Sequence, residues 1–369
     1  MKIFAVNPGS TSTKIALYEN GNLLIRNIEH PSERLLEMPE LQDQFDYRKN
    51  EIEKVLADTS LTLEGVDAFV GRAGSVSSVT GGTYLVNDLM LDHARNGNPY
   101  NQIKHPAMLG PQFVRFFSGK YGGMPLVVNP PDVDEFDEVA RITGLKGIYR
   151  KSSIHALNQK EVALRYAKEK GIRYEELNLI ICHIGGGISV TAHRKGRMVD
   201  SNDIARGDGP MAPTRTGMLP AAPLIELCMS GRYTQTELQR LVIRGGGLVN
   251  HLGTSDARQV RRRMEAGDTY AKLVYDAMIY QIAKEAGSRA VALYGKIDGI
   301  ILTGGIANDG YLVEKLRQYL EWLAPVTVMA GEFEMEALVN GALRVLCHEE
   351  AAKEYSGVPV WLKPTGWEE

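Results

Sequence analysis

The chain has 369 residues, 44% of them hydrophobic, and a formal net charge of −3, so it is expected to fold into two or three domains. The small charge gives no support for a nucleic-acid or membrane-surface protein. Its apolar runs fall well short of the roughly 20 residues that a membrane helix needs.

Alternating strand and helix patterns predict an α/β protein. Helices are predicted from about Tyr270, over residues 311–324, and in the segment that starts with Glu332, Glu334 and Glu336. Strands are predicted at residues 2–7, 13–19, 68–71, 125–129, 179–183, 189–194, 299–303 and 326–329.

Three cysteines lie far apart and form no CxxC pair. They are expected to be reduced and mostly buried thiols in a cytosolic protein. The first apolar run is too short for a secretory signal, which also favours a cytoplasmic location.

The turn after the first predicted strand, "NPGSTSTK", is rich in hydrogen-bonding groups. A plain hairpin needs only two turn residues, whereas this turn carries Asn7, Ser10, Ser12 and Lys14 among other polar side chains. Several donors with one positive charge are suited to holding an anion.

A weak internal repeat relates this hairpin to a second one 176 residues later. The shift places Gly9 on Gly185 and Asn7 on His183. A repeat at that distance predicts a duplicated domain, although chance similarity between two hairpins is the alternative.

Two further glycine-rich turns follow strand-like runs: Gly185, Gly186 and Gly187 in "HIGGGIS", and Gly304 and Gly305 in "LTGGIA". Glycine lets backbone N–H groups approach an anion closely. Neither turn fits the P-loop or the dinucleotide-binding pattern. Together the three turns favour a nucleoside triphosphate held between two domains.

These turns, with "VGRAGSV", "SIHALNQK", "TRTG" and "GTSDAR", resemble the acetokinase family of the actin-like ATPase superfamily over most of the chain. Within that family the motifs look most like butyrate kinases and branched-chain fatty acid kinases. The resemblance implies duplicated ribonuclease-H-like domains with an interdomain nucleotide cleft. The limits expected are 1–150 plus about 341–369 for the N-terminal domain and 151–340 for the nucleotide-binding domain.

The resemblance implies an ATP- and Mg²⁺-dependent, reversible phosphorylation of a short carboxylate, with acyl phosphate and ADP as products. Butyrate or a branched-chain acid is the favoured substrate, and acetate or propionate is the alternative. The alternative of another class is an actin- or chaperone-like conformational ATPase. A homo-oligomer without nucleic-acid or membrane partners is expected.

A carboxylate is already ionised at neutral pH and needs no general base to attack phosphorus. The side chains must therefore supply positive charge and hydrogen-bond donors that let this anion approach a triphosphate. Arg72 is a candidate clamp for the substrate carboxylate. Arg215 is a candidate for that carboxylate and the transferring phosphoryl group, since guanidinium suits both. His155, expected in the first turn of a helix capped by Ser152 or Ser153, is a candidate hydrogen-bond donor that stabilises charge on the transferring phosphoryl group.

The resemblance also implies a nucleotide and metal site. Asn7 and Glu334 are the candidate metal residues, with Glu336 as an alternative to Glu334. Separately, Thr254 or Ser255 is expected to cap a helix that begins within "GTSDARQVRRR". His183 could instead be a core histidine, Lys14 a strand-face residue, and Glu334 a charge that complements the helix dipole. The nucleotide-binding candidates are Ser10, Ser12, Lys14, His183, Gly185, Gly186, Gly187, Asp256, Arg258, Gly304, Gly305 and Ile306.

One position departs from the family pattern, and two others differ from acetate kinases. Asn129 stands where an aspartate usually helps to organise Mg²⁺ and the phosphoryl group, which favours a slow enzyme unless Asp132 or Asp134 takes over. Gly74 and Ile154 replace bulkier residues of acetate kinases, which predicts room for a longer acid.

Overall fold

The computed structural model describes residues 1–100 and 104–362 and confirms the predicted α/β class. Within these residues the strands are β1 Lys2–Pro8, β2 Ser12–Glu19, β3 Asn22–Glu29, β4 Ala68–Gly71, β5 Thr83–Leu85, β6 Met124–Val128, β7 Asn178–Ile184, β8 Ile188–Arg194, β9 Arg197–Ser201, β10 Gly299–Gly304 and β11 Val326–Ala330. The α-helices are α1 Ser32–Leu36, α2 Gln44–Asp58, α3 Asp88–Asn96, α4 Leu109–Tyr121, α5 Ala156–Lys170, α6 Ala221–Met229, α7 Gln235–Arg244, α8 Gly247–Leu252, α9 Ala257–Glu265, α10 Thr269–Ala292, α11 Gly310–Leu320 and α12 Glu334–Leu346.

The chain divides into two compact units. Among the described residues, the first contains Met1–Asp134, Ala156–Asn158 and Phe333–Leu362, and the second contains Glu135–His155 and Gln159–Glu332. The domain limits expected from the sequence stay a prediction, and each unit is described by itself below.

The first unit is built on a mixed sheet in the order β3-β2-β1-β4-β6-β5. Strand β1 is antiparallel to β2 and parallel to β4. Helix α12 buries Leu338 and Ala342 against one face of the sheet. On α4, Phe117 meets Phe4 of β1 with ring centroids 5.5 Å apart. Helices on two faces explain why β1 is apolar at successive positions rather than alternating.

The second unit has a mixed sheet in the order β11-β10-β7-β8-β9. Strand β7 is antiparallel to β8 and parallel to β10, so it makes the same connections as β1. Helix α10 buries Tyr275, Met278 and Ile282 in the core that covers this sheet. The repeated strand order agrees with the duplication that the sequence repeat predicts.

Several local expectations are corrected by the structure. Strands β3, β5 and β9 were not among those predicted, and α12 begins at Glu334 rather than Glu332. Cys182 is buried, but Cys228 and Cys347 are exposed, because Cys228 lies on α6, which has no buried residue, and Cys347 lies just beyond the end of α12. In the part of the chain that the structure describes, no helix has the length and apolar character to span a membrane.

Candidate active site

The turn of the β1–β2 hairpin is hydrogen-bonded to an arginine that was not among the residues predicted from the sequence. Arg48, on α2, has no solvent exposure. Its Nη1 donates to the carbonyl oxygens of Gly9 at 2.9 Å and Ser12 at 3.2 Å, and its Nη2 donates to that of Ser10 at 3.2 Å. The turn that carries Ser10, Ser12 and Lys14 is therefore fixed by a buried guanidinium.

Within the described part of the chain, every group that accepts a hydrogen bond from Arg48 is neutral. Besides the turn carbonyls, these are Gln44 Oε1 and Thr13 Oγ1. Burial lowers the pKa of the Arg48 guanidinium to about 10, so the group stays charged at neutral pH. The sequence signal was available, since Arg48, Ile52 and Leu56 follow at helical spacing and all face the core.

The first unit brings three candidate residues together: Asn7, Arg72 and Glu334. Asn7 Nδ2 donates to Glu334 Oε2 at 2.7 Å, and Arg72 Nη1 lies 3.0 Å from Glu334 Oε1. The strands place them, because Asn7 is near the end of β1 and Arg72 directly follows the neighbouring β4. Asn7 Oδ1 is buried without a hydrogen-bond partner, which costs free energy unless a ligand or water supplies a donor.

Asn129 follows β6 in a left-handed backbone conformation with φ +37°, which asparagine tolerates better than most residues. Its Oδ1 accepts a hydrogen bond from the Gly82 backbone N–H at 2.7 Å. The amide oxygen of Asn129 is therefore engaged by the protein. The loop beyond it is tied to Val79 through backbone bonds of Asp132 and Asp134, which restricts how far these carboxylates can move.

In the second unit, the β7–β8 turn lies directly against Arg215. A Cβ atom added to Gly187 would lie 1.7 Å from Arg215 Nη1, so only glycine allows the guanidinium to occupy this place. Arg215 Nε is buried without a hydrogen-bond partner, and burial lowers the pKa of the group. A cation with an unused donor at a glycine-rich turn is suited to an anionic ligand.

His155 and His183 stack in the same unit, with ring centroids 3.8 Å apart and planes inclined by 13°. His155 Nδ1 lies 2.9 Å from Ser189 Oγ. His155 occupies the position just before α5 and makes no side-chain cap, which corrects the expectation that it lies within the first helical turn. The helix begins at Ala156, so the imidazole projects from the loop-to-helix junction.

The third glycine-rich turn packs beside the β7–β8 hairpin. Gly304 has φ +88°, and a Cβ there would lie 2.4 Å from the Ile184 carbonyl oxygen, so this position requires glycine. Gly305 is exposed, and a Cβ added there would meet open space, while Ile306 packs against the core of the unit. The turn continues into a short 3-10 helix, Gly305–Asn308, which precedes α11.

Asp256 and Arg258 lie at the start of α9. Asp256 itself caps the helix by accepting from the Arg258 N–H at 2.9 Å, which corrects the expectation of Thr254 or Ser255 as the cap. The two side chains also pair, with Arg258 Nε 3.0 Å from Asp256 Oδ1. Their contact with a nucleotide stays a prediction.

The residues of the first unit fit a hydrated Mg²⁺. This ion keeps several waters and takes one or two carboxylates together with substrate phosphates. Asn7 offers an unpartnered oxygen beside the Glu334 carboxylate. Among the described residues, no group of three His, Cys, Asp or Glu side chains could hold a metal ion by itself.

Comparison with known proteins matches residues 142–353 to the model of the acetokinase family. Probable butyrate kinases from two Clostridium botulinum strains, Eklund 17B and Alaska E43, are each 44% identical over 355 residues. The match covers 96% of this chain and 99% of each relative.

Among solved structures, Porphyromonas gingivalis acetate kinase superposes with a TM-score of 0.74 at 19% identity, covering 94% of this chain and 99% of that chain. A propionate kinase from Francisella tularensis gives 0.70 at 18% identity, covering 91% and 98%. These likenesses establish the fold of the chain.

Proposed function

Because this chain belongs to the acetokinase family, we propose that it transfers the γ-phosphoryl group of ATP reversibly to the carboxylate of a short-chain fatty acid. The observation that carries the proposal is Arg215, a half-buried side chain whose buried Nε has no partner and whose guanidinium lies against the β7–β8 turn. A carboxylate is ionised at pH 7 and attacks phosphorus without a general base. The barrier lies in bringing two anions together, which positioned cations and donors lower.

The proposed roles follow from the contacts. Arg215 stabilises charge on the transferring phosphoryl group. Arg72 receives the substrate carboxylate with the donors that its pairing to Glu334 leaves, since that pairing uses Nη1. His155 donates to the phosphoryl oxygens, and Asn129 offers its Nδ2 group because its oxygen is bonded to Gly82.

The proposed nucleotide-binding residues lie in the β1–β2 turn of the first unit, and in the β7–β8 turn and the turn after β10 of the second. When bound, Mg²⁺ would neutralise charge on the β- and γ-phosphate oxygens. Asn7 and Glu334 would hold it through oxygen atoms or its waters. The remaining proposed nucleotide-binding residues are those predicted from the sequence, from Ser10 in the β1–β2 turn to Ile306 after β10. A cytoplasmic location and a homo-oligomeric state stay predictions.

Butyrate or a branched-chain acid is the proposed substrate class. The probable butyrate kinases at 44% identity support it, as do the small Gly74 and the aliphatic Ile154. Each buried methylene contributes about 0.8 kcal/mol, so a four-carbon acid is expected to exceed acetate by roughly tenfold in kcat/KM. Acetate or propionate is the alternative.

An acyl-hydroxamate assay with ATP and Mg²⁺ across straight and branched acids of two to five carbons tests both the kinase activity and the substrate class. Hydroxamate with the highest kcat/KM for four-carbon acids is expected. Equal ATP hydrolysis with and without every acid, and no hydroxamate, would overturn the kinase proposal. A kcat/KM for acetate equal to that for butyrate would overturn only the substrate class.

Gly74→Ala sharpens the test of chain length. A Cβ at this position would lie 3.1 Å from Ala107 Cβ, which is tight but less so than a valine would be. We expect the preference to shift toward shorter acids, with unchanged preference in the matched variant Gly119→Ala, where a Cβ meets open space.

Asn129→Asp tests the departure from the family pattern. One carboxylate oxygen can keep the bond to Gly82 N–H while the other restores a negative charge, so a gain of about tenfold in kcat is expected from better organisation of Mg²⁺. Asp132→Asn and Asp134→Asn are the comparison. Collapse of activity in either of these, without a gain in Asn129→Asp, would show that the carboxylate function lies there.

A further inference from the structure

A row of buried polar side chains in the second unit ends on His155. Tyr174 Oη lies 2.7 Å from His193 Nδ1, and His193 Nε2 lies 3.0 Å from Gln159 Oε1. Gln159 Nε2 lies 2.7 Å from Ser189 Oγ, which in turn lies 2.9 Å from His155 Nδ1. The proposed function explains His155 but none of the other four side chains.

The local structure places these groups in line. Ser189 and His193 lie four residues apart on β8, and Gln159 lies one helical turn after His155, so that its N–H donates to the His155 carbonyl oxygen. Gln159, Ser189 and His193 have no solvent exposure. Water therefore cannot replace a missing partner, and each donor must meet an acceptor.

The orientation of the Gln159 amide sets the direction of the row. Its Nε2 also lies 3.3 Å from the Ser189 carbonyl oxygen, which can only accept. The nitrogen end therefore faces Ser189 and the oxygen end faces His193. It follows that His193 carries its proton on Nε2 and donates it to Gln159.

His193 holds only one ring proton. Burial, and after it the charge of Lys160, lowers the pKa of His193 well below its usual value, so the imidazole is neutral. With the proton on Nε2, its Nδ1 is bare and accepts from the Tyr174 hydroxyl. The hydrogen bonds of Tyr174, His193 and Gln159 thus all point toward Ser189.

Ser189 passes this direction to His155. Its Oγ accepts from Gln159, so its single hydrogen is available to His155 Nδ1. The opposite arrangement, with His155 Nδ1 donating, would leave a buried hydroxyl hydrogen without an acceptor, at a cost of about 1–3 kcal/mol.

We propose that Tyr174, His193, Gln159 and Ser189 are positioning residues that hold His155 with a bare Nδ1 and its proton on Nε2. No proton moves along the row, since each donor keeps its own hydrogen. The inference rests on the proposed function, in which Nε2–H is the donor to the transferring phosphoryl group. A ring with the opposite tautomer would present a lone pair to that anion and would repel it.

The test is ¹⁵N NMR of the full-length protein with labelled histidine, where the His155 signals are assigned by their loss in His155→Gln. The wild-type protein is expected to show protonated Nε2 and unprotonated Nδ1. Gln159→Glu replaces the amide donor by an acceptor, so the Ser189 hydroxyl should turn away from His155. We then expect a proton on His155 Nδ1 and a kcat about 10- to 100-fold lower, with KM values within about twofold.

Gln239→Glu, at an exposed position of α7, controls for the added charge and should keep the wild-type tautomer. A proton on His155 Nδ1 in the wild-type protein would overturn the inference even if a variant failed to fold. An unchanged tautomer in folded Gln159→Glu would also overturn it. A wild-type protein with the expected tautomer but no acyl phosphate from any acid would instead refute the proposed function.

Discussion

The β1–β2 and β7–β8 hairpins hold the same place in their two sheets, and each has an arginine at its turn, the buried Arg48 in the first and the half-buried Arg215 in the second. Arg48 donates to three turn carbonyls, to Gln44 and to Thr13. Arg215 instead fills the space beside Gly187 and leaves Nε without a partner. The same topological position therefore holds its arginine in two ways, since one guanidinium donates to the carbonyls of its turn and the other keeps a donor without a partner.

The turns differ in length as well as in side chains. Asn7 pairs with Lys14 across the first hairpin, seven residues on, whereas His183 pairs with Ser189, six residues on. The longer turn has room for hydroxyl-bearing residues, and its carbonyl groups accept hydrogen bonds from Arg48. The shorter turn is almost bare backbone, so Arg215 can approach it closely.

The largest effect is expected from Arg215→Gln, which removes the charge but keeps a polar group. Loss of an arginine that stabilises a transferring phosphoryl group costs about 10³-fold in kcat. The melting temperature should change little, because Nε has no partner to lose. The comparison is Arg206→Gln, because Arg206 lies on the same segment and pairs with Asp203. Equal losses of kcat in the two variants would contradict the role assigned to Arg215.

Gly187→Ala tests the same site without changing a charge. The added methyl would displace the Arg215 guanidinium, so we expect kcat to fall about 10²-fold. At Gly186 a Cβ meets open space, and Gly186→Ala should lose much less. Equal kcat values for the two variants would show that close packing of Arg215 is unimportant.

Arg48→Met should act on stability first. It leaves three turn carbonyls without their donor, and the free energy of unfolding in urea should fall by about 3 kcal/mol. The KM for ATP should rise more than kcat falls, because the turn loses its shape. Arg115→Met, on the exposed face of α4, should change neither; a similar loss in both variants would contradict the role of Arg48.

The smallest effect is a pH dependence specific to the first hairpin. Burial, and then the charge of Arg48, lowers the pKa of His30 to about 4. The unfolded chain therefore binds a proton at higher pH than the folded one, and stability falls as the pH drops from about 6.5 toward 4. His30→Gln should reduce the loss of unfolding free energy between pH 7 and pH 5 by about 1–2 kcal/mol.

The exposed His251 provides the matched variant, and His251→Gln should keep the wild-type slope. If His30→Gln also keeps that slope, His30 is not buried as a neutral group. The His30→Gln substitution should not change how the β7–β8 turn responds to mild acid.

Much of the fold could be predicted from the sequence because strands β1, β7 and β10 are continuous apolar runs that end in polar or glycine-rich turns. The repeat between the hairpins anticipated the shared strand order. Strand β3 was missed because it is largely exposed at the sheet edge and its apolar residues, Leu23, Leu24, Ile25 and Ile28, do not alternate with polar ones.

The site was less accessible to sequence reasoning. Asn7, Arg72 and Glu334 were each identified, but their direct contact depends on α12 returning to β1 after more than 300 residues. Gln159 and Ser189 lie within quoted motifs, yet their roles depend on amide orientation and burial. Arg48 lay in a helix with no motif, and only its place on the apolar face distinguishes it.

The most direct test of carboxylate phosphorylation uses butyrate labelled with ¹⁸O in its carboxylate, with ATP and Mg²⁺, followed by ³¹P NMR. If the carboxylate attacks phosphorus, the acyl phosphate carries ¹⁸O in its bridging bond and shows an isotope-shifted resonance, while ADP appears in equal amount. Unlabelled inorganic phosphate as the sole new product, formed at the same rate without butyrate, would contradict the account.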